Sequence, residues 1–208
     1  MTLDGLLAIF SMVALACVAA TGAARSVALA RAGVWVLPID RGRRVPEALG
    51  DLLAVIVMGT FVWEAVAIAA APGWRILGLP RLPPDLPWAA LRGLGMPVAA
   101  AAVALYGLAL RDLGLSWRFT IDRERPGELV THGVFARSRN PIYLALMLLA
   151  AGVALMLGGP LLVALACACP LYFVALVGRE EAFLARHYGP TYEAYRARTP
   201  RWWRGLAS

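Results

Sequence analysis

Five apolar runs, separated by polar segments, dominate the pattern of the chain. They are Leu6–Ala24, Leu52–Ala71, Leu94–Leu110, Ile142–Leu157 and Leu161–Val177. A helix needs roughly 20 apolar residues to cross a hydrocarbon core of about 30 Å, and these runs reach or approach that length. The pattern therefore predicts an all-α fold, a polytopic membrane bundle of about five transmembrane helices.

Local breakers refine this prediction. Gly158-Gly159-Pro160 separates the last two runs and predicts a tight helical hairpin between them. Pro97 falls in the first turn of the third predicted helix, where proline is tolerated. The segment Pro72–Trp88 is rich in proline and is expected to be irregular. We interpret Asp112–Arg125 as a loop or short strand.

Two polar passages remain, Gly127–Tyr143 and Arg179–Arg201. The second follows the hairpin and is predicted to hold a helix at Glu180–Tyr188, which Gly189-Pro190 ends, and another at Tyr192–Arg198. We expect this C-terminal helical segment to fold back against the first passage, so that the two passages form one site.

Composition agrees with a membrane protein. The chain has 208 residues, of which 61% are hydrophobic, with a mean hydropathy of +0.69 and a net charge of +7. Because apolar runs divide the basic residues into short segments, topology and anionic headgroups explain the charge better than nucleic-acid binding. The lipid bilayer is the expected partner, and no nucleic acid is expected.

The arginines also predict the topology. All twenty basic residues are arginine, and with five spans seventeen of them lie on one side. The positive-inside tendency then places the N-terminus outside and the C-terminal segment in the cytoplasm. The lysine-free, alanine-rich composition suggests a bacterial inner membrane. We treat 1–208 as a single membrane domain, with N-terminal transmembrane helices in 1–111 and the functional half in 112–208.

Common chemical motifs are missing. The three cysteines lie inside apolar runs and the only histidines are His132 and His187, so no metal site is predicted. There is no glycine-rich nucleotide or phosphate loop. No nucleophile, acid or base can be assigned, and the catalytic residues stay unknown.

The candidate chemistry lies in Arg139-Asn140-Pro141-Ile142-Tyr143 and Glu180-Glu181. A structural alternative exists for both. Asn140 suits a helix cap and Pro141 the first turn, whereas the glutamates suit a solvated face, paired with Arg179 or Arg186 at helical spacing. Because the glutamates lie beyond the last predicted span, their replacement is expected to leave folding nearly intact. Local sequence alone leaves both alternatives open.

A longer pattern favours function. Leu129-Val130, Gly133-Val134-Phe135, Arg139-Asn140-Pro141-Ile142-Tyr143, Glu180-Glu181, Tyr188-Gly189-Pro190-Thr191-Tyr192, Tyr195 and Pro200 follow one another in order. In these motifs and their spacing, residues 127–201 resemble the catalytic half of the isoprenylcysteine carboxyl methyltransferase family of integral membrane methyltransferases.

This resemblance implies an S-adenosylmethionine-dependent methyltransferase that transfers a methyl group to a lipid-like or small hydrophobic acceptor. It implies that the cofactor is bound by Gly127, Glu128, Leu129, Val130, Phe135, Arg139, Asn140, Pro141, Ile142, Tyr143, Glu180 and Glu181. A glutamate of the pair would face the charged methionine end of the cofactor. In-line displacement at the methyl group requires no covalent enzyme intermediate.

Two departures bear on the acceptor. Asn140 stands where many members of the family have histidine, so no histidine acts there as an acid or base. Members that methylate a prenylcysteine carboxylate carry an arginine about one turn before the glutamates, where this chain has Ala175-Leu176-Val177-Gly178. Phospholipid amines, small thiols, and lipid-like acids or phenols therefore stay open as acceptors.

Two other functions compete with methyl transfer. An NADPH-dependent membrane sterol or steroid reductase would share the topology and the C-terminal tyrosines, although Pro141 argues against it. A non-catalytic membrane protein on the same scaffold is the other. Glu64, inside the second run, is either functional or a structural partner of Thr60 or an arginine.

Overall fold

The structure, a computed structural model, describes residues 2–33, 45–71, 73–74, 79, 81, 88–116 and 127–203. Within these ranges it is all-helical and contains no strand. The six α-helices are α1 (Leu3–Arg31), α2 (Val45–Ala70), α3 (Trp88–Leu113), α4 (Pro141–Leu157), α5 (Pro160–Tyr188) and α6 (Pro190–Arg198). The predicted all-α class is confirmed.

Four of these helices are long and apolar enough to cross a membrane, namely α1, residues 52–70 of α2, α3 and α5. The fifth apolar helix, α4, has 17 residues, or about 25 Å at 1.5 Å per residue, which is the lower end of the range for a span. The prediction of a multi-pass membrane protein is confirmed.

Helix boundaries differ from the prediction around the third helix. α3 begins at Trp88, so Pro97 lies in the helix interior and not in its first turn. Proline inside a membrane helix is tolerated because neighbouring groups satisfy the freed backbone. From the sequence, the segment Asp112–Arg125 is interpreted as a loop or short strand. Its first residue, Asp112, belongs to α3, and Gly114–Ser116 forms a 3-10 turn. The remainder, 117–126, lies outside the described residues, as does most of Pro72–Trp88.

The hairpin between α4 and α5 has the predicted form. α4 ends at Leu157 and α5 begins at Pro160, so Gly158 and Gly159 alone connect them. Gly158 has a φ of 65°, a left-handed conformation that glycine adopts without steric cost.

The fifth helix is longer than predicted. The expected span at Leu161–Val177 and the expected helix at Glu180–Tyr188 are one continuous helix of 29 residues, α5. Gly178 is accommodated inside the helix, at a cost of about 1 kcal/mol relative to alanine. Gly189 with Pro190 ends the helix, as the sequence indicated. The two glutamates are therefore carried on the same helix as the apolar span, a helix that also contains Pro170.

Contacts between helices fall into two compact units. The first comprises Met1–Cys17, Arg41–Val103 and Met147–Pro170, and the second comprises Val18–Asp40, Ala104–Leu146 and Leu171–Ser208. The predicted division of the chain between residues 111 and 112 is a separate matter and stays a prediction.

In the first unit, α3 and α4 meet through glycines. A Cβ on Gly95 would lie 2.6 Å from the carbonyl oxygen of Gly152, and a Cβ on Gly152 would lie 2.9 Å from the backbone nitrogen of Ala99. Small residues let membrane helices approach until their backbones touch. This contact fixes the spacing of the two helices.

Among the described residues, Glu64 pairs with neither Thr60 nor an arginine, the two kinds of partner expected for it. Its side chain is buried at 1% exposure, and its Oε2 accepts a hydrogen bond from Trp74 Nε1 at 3.0 Å. Thr60 instead donates to the carbonyl of Ile56 in its own helix. The sequence missed Trp74 because a tryptophan ten residues away, beyond the end of α2, is brought to Glu64 by tertiary folding alone.

In the second unit the apolar core joins α1, α3 and α4. Leu29, Tyr106, Leu110 and Ala145 form its buried centre, and Ile142 packs against them. The core holds the beginning of α4, and hence the end of the polar passage before it, against the C-terminal half of α3.

The glycine contact between α3 and α4 predicts a stability difference between two neighbouring substitutions. Gly95→Ala should lower the unfolding free energy by about 1–3 kcal/mol, since its Cβ must displace backbone. Gly93→Ala, in the same helix, meets nothing within 4 Å and should leave the melting temperature unchanged or slightly higher. Thermal unfolding in detergent measures both, and equal melting temperatures would contradict the close contact.

Candidate functional site

The last part of the polar passage before α4 begins at Gly133. Gly133 opens a 3-10 turn, Gly133–Ala136, with a φ of 60°. The N–H of the next residue, Val134, donates to Asp112 Oδ2 at 2.8 Å. A Cβ at position 133 would collide with that carboxylate, so the site requires glycine. The end of α3 therefore directs the passage.

Two tyrosines of the C-terminal segment hold the same passage by its backbone. Tyr188 donates its hydroxyl hydrogen to the carbonyl of Gly127, and Tyr195 donates to the carbonyl of Phe135, both at 2.7 Å. Burial raises the pKa of Tyr195 far above its usual value, so this hydroxyl keeps its proton at neutral pH. The two polar passages pack together, as the sequence analysis expected.

The centre of the site is the carboxylate of Glu181. Arg139 approaches Oε1 through Nε at 3.1 Å and through a terminal nitrogen at 3.0 Å. Arg201 donates twice to Oε2, from Nε at 3.0 Å and from a terminal nitrogen at 2.7 Å. The side chains of Arg139 and Glu181 are each 9% exposed. Charge-assisted, bidentate contacts of this kind are among the strongest hydrogen bonds in proteins.

The arginine of this pair also binds the chain after α6. Arg139 donates to the carbonyl of Thr199 at 2.6 Å, and its backbone N–H donates to the carbonyl of Pro200 at 3.0 Å. The neighbouring Ser138 donates its hydroxyl hydrogen to the carbonyl of Arg201 at 3.3 Å. We call Ser138, Arg139, Asn140, Glu181 and Arg201 the tail clamp, because together they fasten residues 199–201 to the start of α4.

Asn140 belongs to this clamp. Its amide nitrogen donates to Glu181 Oε1 at 3.1 Å and to the carbonyl of Arg201 at 3.2 Å. Helix capping is therefore not the main role of the Asn140 side chain. Its amide group donates hydrogen bonds to α5 and to the tail. Nor is Glu181 on a solvated face that is replaceable without loss of folding, because removal would leave Arg139, Arg201 and Asn140 without their shared acceptor.

Glu180 has a different environment from its neighbour. It is partly buried and accepts a hydrogen bond from the hydroxyl of Tyr143. Among the described residues that is its one hydrogen bond, so its carboxylate keeps acceptor capacity. The ring of Tyr143 lies 5.0 Å from that of the buried Phe173. A carboxylate beside an aromatic face is suited to a cation.

Residues 91–191 match the family model described as phospholipid methyltransferase. That range contains both Arg139–Tyr143 and the two glutamates. The predicted resemblance to membrane methyltransferases is confirmed. No curated protein matches the chain significantly.

A solved membrane methyltransferase has a similar fold. It is isoprenylcysteine carboxyl methyltransferase, a eukaryotic intramembrane Ras methyltransferase, solved without a monobody. The two chains have a TM-score of 0.50 and 22% identity, over 76% of this chain and 52% of that chain. This chain thus spans about half the length of that methyltransferase, and at this identity the likeness establishes the fold.

The methyltransferase residues expected from the sequence fall into three groups. Arg139, Asn140 and Glu181 are in the tail clamp, and Tyr143 pairs with Glu180. Ile142 packs into the apolar core, and Pro141 is fully buried beside it in the chain. The others precede α4: exposed Gly127 and Glu128, partly buried Leu129 and Val130, and buried Phe135.

Two further residues of the site, Ser138 and Arg201, are not among those that the sequence pattern predicted. Ser138 is fully buried. Arg201 is one of the two arginines that form ion pairs with Glu181. Hydrogen bonding to Glu181 raises the pKa of Arg201. The available signal was position: Arg201 directly follows Pro200, the last residue of the motif pattern.

The tail clamp predicts that Asn140→Asp is destabilising. The new carboxylate oxygen would face Glu181 Oε1 and the carbonyl of Arg201, replacing two donors with an acceptor. We expect a loss of about 1–3 kcal/mol in unfolding free energy. Thermal unfolding measures it, with Thr191→Asp as control, since that variant adds the same charge at the exposed first turn of α6, where a carboxylate is favourable. Wild-type melting of Asn140→Asp would rule out the amide contacts.

Proposed function

We propose that the chain is an S-adenosylmethionine-dependent methyltransferase acting on a lipid-like acceptor at the membrane surface. The observation that carries this proposal is the family match over 91–191, a range that holds Arg139–Tyr143 and Glu180-Glu181. The geometry supports it, since residues from both polar passages and from α5 converge on one location.

The two glutamates have separate roles in this proposal. Glu181 is saturated by two arginines and one amide, so it orders the protein and is a positioning residue. Glu180, with only Tyr143 bonded to it among the described residues, is the carboxylate available to the ammonium group at the methionine end of the cofactor. The sequence offered both glutamates for this role, and the contacts favour Glu180.

The residues present suit the cofactor. S-adenosylmethionine carries an ammonium and a sulfonium, and the carboxylate of Glu180 with the ring of Tyr143 offers both ionic and cation–π attraction. Leu129 and Val130, partly buried, offer apolar surface to a nucleoside. The bound cofactor would supply a methyl group activated on sulfur. The protein's own work is then to orient the acceptor and exclude water.

A phospholipid amine is the acceptor we would test first. The family match is to phospholipid methyltransferases, and residues 175–178 of α5 include no arginine that could bind a prenylcysteine carboxylate. Labelled methyl transfer into vesicles of phosphatidylethanolamine, compared with a prenylcysteine analogue, separates the two acceptor classes.

The role of Glu180 predicts a binding defect without a folding defect. Glu180→Gln should melt close to wild type yet lose affinity for S-adenosylhomocysteine by about 1.5–3 kcal/mol, typical of a charged hydrogen bond. Stabilisation of the purified protein by ligand measures the affinity. Glu193→Gln, in an exposed ion pair with Arg196, is the matched control.

Two results would defeat this assignment. If Glu180→Gln binds S-adenosylhomocysteine as wild type does, the carboxylate has no part in the cofactor site. If NADPH stabilises the protein and S-adenosylhomocysteine does not, the reductase alternative replaces methyl transfer.

For topology, we propose that the C-terminal segment faces the cytoplasm of a bacterial inner membrane, on the basis of the arginine distribution. A reporter fused after Ser208 should be active only in a cytoplasmic assay. A periplasmic signal would reverse the orientation, and the site would then lie on the outer surface.

A further inference from the structure

Arg25, in the last third of α1, carries a guanidinium group that the site described above does not use. The residue is partly buried, and its buried Nε donates no hydrogen bond to any residue that the structure describes. Within the same described residues, no carboxylate forms an ion pair with it. Buried donors in folded proteins are normally paired with protein, water or a ligand, because an unpaired one is costly.

The position of Arg25 on α1 explains why its side chain is held within the protein. Gly22, Arg25 and Leu29 lie three and four residues apart, so they share one face of the helix. On this face, a Cβ at Gly22 would lie 3.0 Å from the hydroxyl oxygen of Tyr106. Leu29 is fully buried in the core that contains Tyr106. Arg25 therefore belongs to the face that packs against α3, and not to a face that only lipid or water would cover.

The guanidinium of Arg25 lies beside the turn that follows α3. A Cβ on Gly114 would lie 4.0 Å from its Nη2. Two residues later, the hydroxyl of Ser116 accepts a hydrogen bond from the backbone N–H of Glu128 at 3.2 Å. Arg25, this turn and Glu128 all belong to the second unit. The cation is thus close to the start of the polar passage that leads to Tyr143.

The ends of two helices indicate that this cation lies at the membrane surface. Arg25 directly follows the apolar run Leu6–Ala24, and α3 ends at Leu113, next to Gly114. The carbonyl groups at the C-terminal end of a helix favour a nearby positive charge, but they do not neutralise it. Lipid headgroups lie at this level, and a guanidinium with an unpaired donor matches the oxygens of a phosphate.

We propose that Arg25 binds the phosphate of the phospholipid acceptor and so makes the enzyme selective for phospholipids over other lipid-like acceptors. This proposal rests on the proposed methyl transfer, since it names the acceptor group that the protein recognises. The phosphate oxygens accept hydrogen bonds from Arg25, and the headgroup amine stays free to be methylated. No bond forms or breaks at Arg25, which determines specificity and is not a catalytic residue.

The test is labelled methyl transfer from S-adenosylmethionine into phosphatidylethanolamine in mixed micelles. Arg25→Gln should raise KM for the lipid at least about tenfold, the scale of one charged hydrogen bond, with kcat near wild type because the contact is the same in the ground and transition states. Arg25→Lys keeps the charge but lacks Nε, so its KM should lie between the two.

The matched control is Arg31→Gln, which removes the same charge from an exposed position at the end of the same helix. Its KM should equal that of wild type. Because the guanidinium of Arg25 has no partner among the described residues, Arg25→Gln should also melt at or above the wild-type temperature. It should keep its affinity for S-adenosylhomocysteine.

Each other result overturns the assignment in a distinct way. Equal increases of KM in Arg25→Gln and Arg31→Gln would mean general attraction to the micelle surface. A lower melting temperature of Arg25→Gln with unchanged KM would make the residue structural. Inhibition by inorganic phosphate that disappears in Arg25→Gln, again with unchanged KM, would assign the residue to a soluble anion.

Failure of this inference is separable from failure of the proposed function. If wild type binds S-adenosylhomocysteine and methylates a prenylcysteine analogue but not phosphatidylethanolamine, methyl transfer stands and the role of Arg25 is wrong. If wild type neither binds S-adenosylhomocysteine nor methylates any acceptor, the proposed function fails and this inference fails with it.

Discussion

The buried charge of Glu181 is the constraint on which the second unit depends. A carboxylate that is 9% exposed cannot remain charged without compensation, since desolvation costs several kcal/mol. Compensation comes from Arg139, at the start of α4, and from Arg201, beyond α6. Arg139 also donates to the carbonyl of Arg196 in α6 and to the carbonyl of Thr199 in the tail. One ionic requirement thus fixes three segments that are distant in sequence.

Adjacent residues on a helix project about 100° apart, and this explains why two neighbouring glutamates differ. The side chain of Glu181 is turned toward the arginines, and that of Glu180 toward Tyr143. Two glutamates that are adjacent in sequence therefore lie in separate environments with different partners. One secures the protein, and the other keeps acceptor capacity for a ligand.

The lengths of the apolar runs predicted the helices and the hairpin. Burial in hydrocarbon requires a certain length and composition of a helix, and both can be read directly from the sequence. Local rules failed where a tertiary partner decides. Asn140 has the side chain of a helix cap, but its amide nitrogen donates instead to an acceptor on α5 and to another in the tail. Glu64 pairs with Trp74, and Arg201 with Glu181. Neither pair follows from periodicity, since each joins a helix to a segment outside it.

The length of α5 determines how far along this helix Glu180 lies from the first residue, Pro160. At 1.5 Å per residue the helix is about 43 Å long, and Glu180 lies about 30 Å along it from Pro160. That distance equals the hydrocarbon thickness of an average bilayer. In a thicker membrane the carboxylates would be drawn into lipid, and in a thinner one they would stand in water unless the helix tilted. Bilayer thickness therefore affects whether lipid or water surrounds the carboxylates. Through the length of this one helix, the lipid composition of the membrane influences the electrostatic environment of the site.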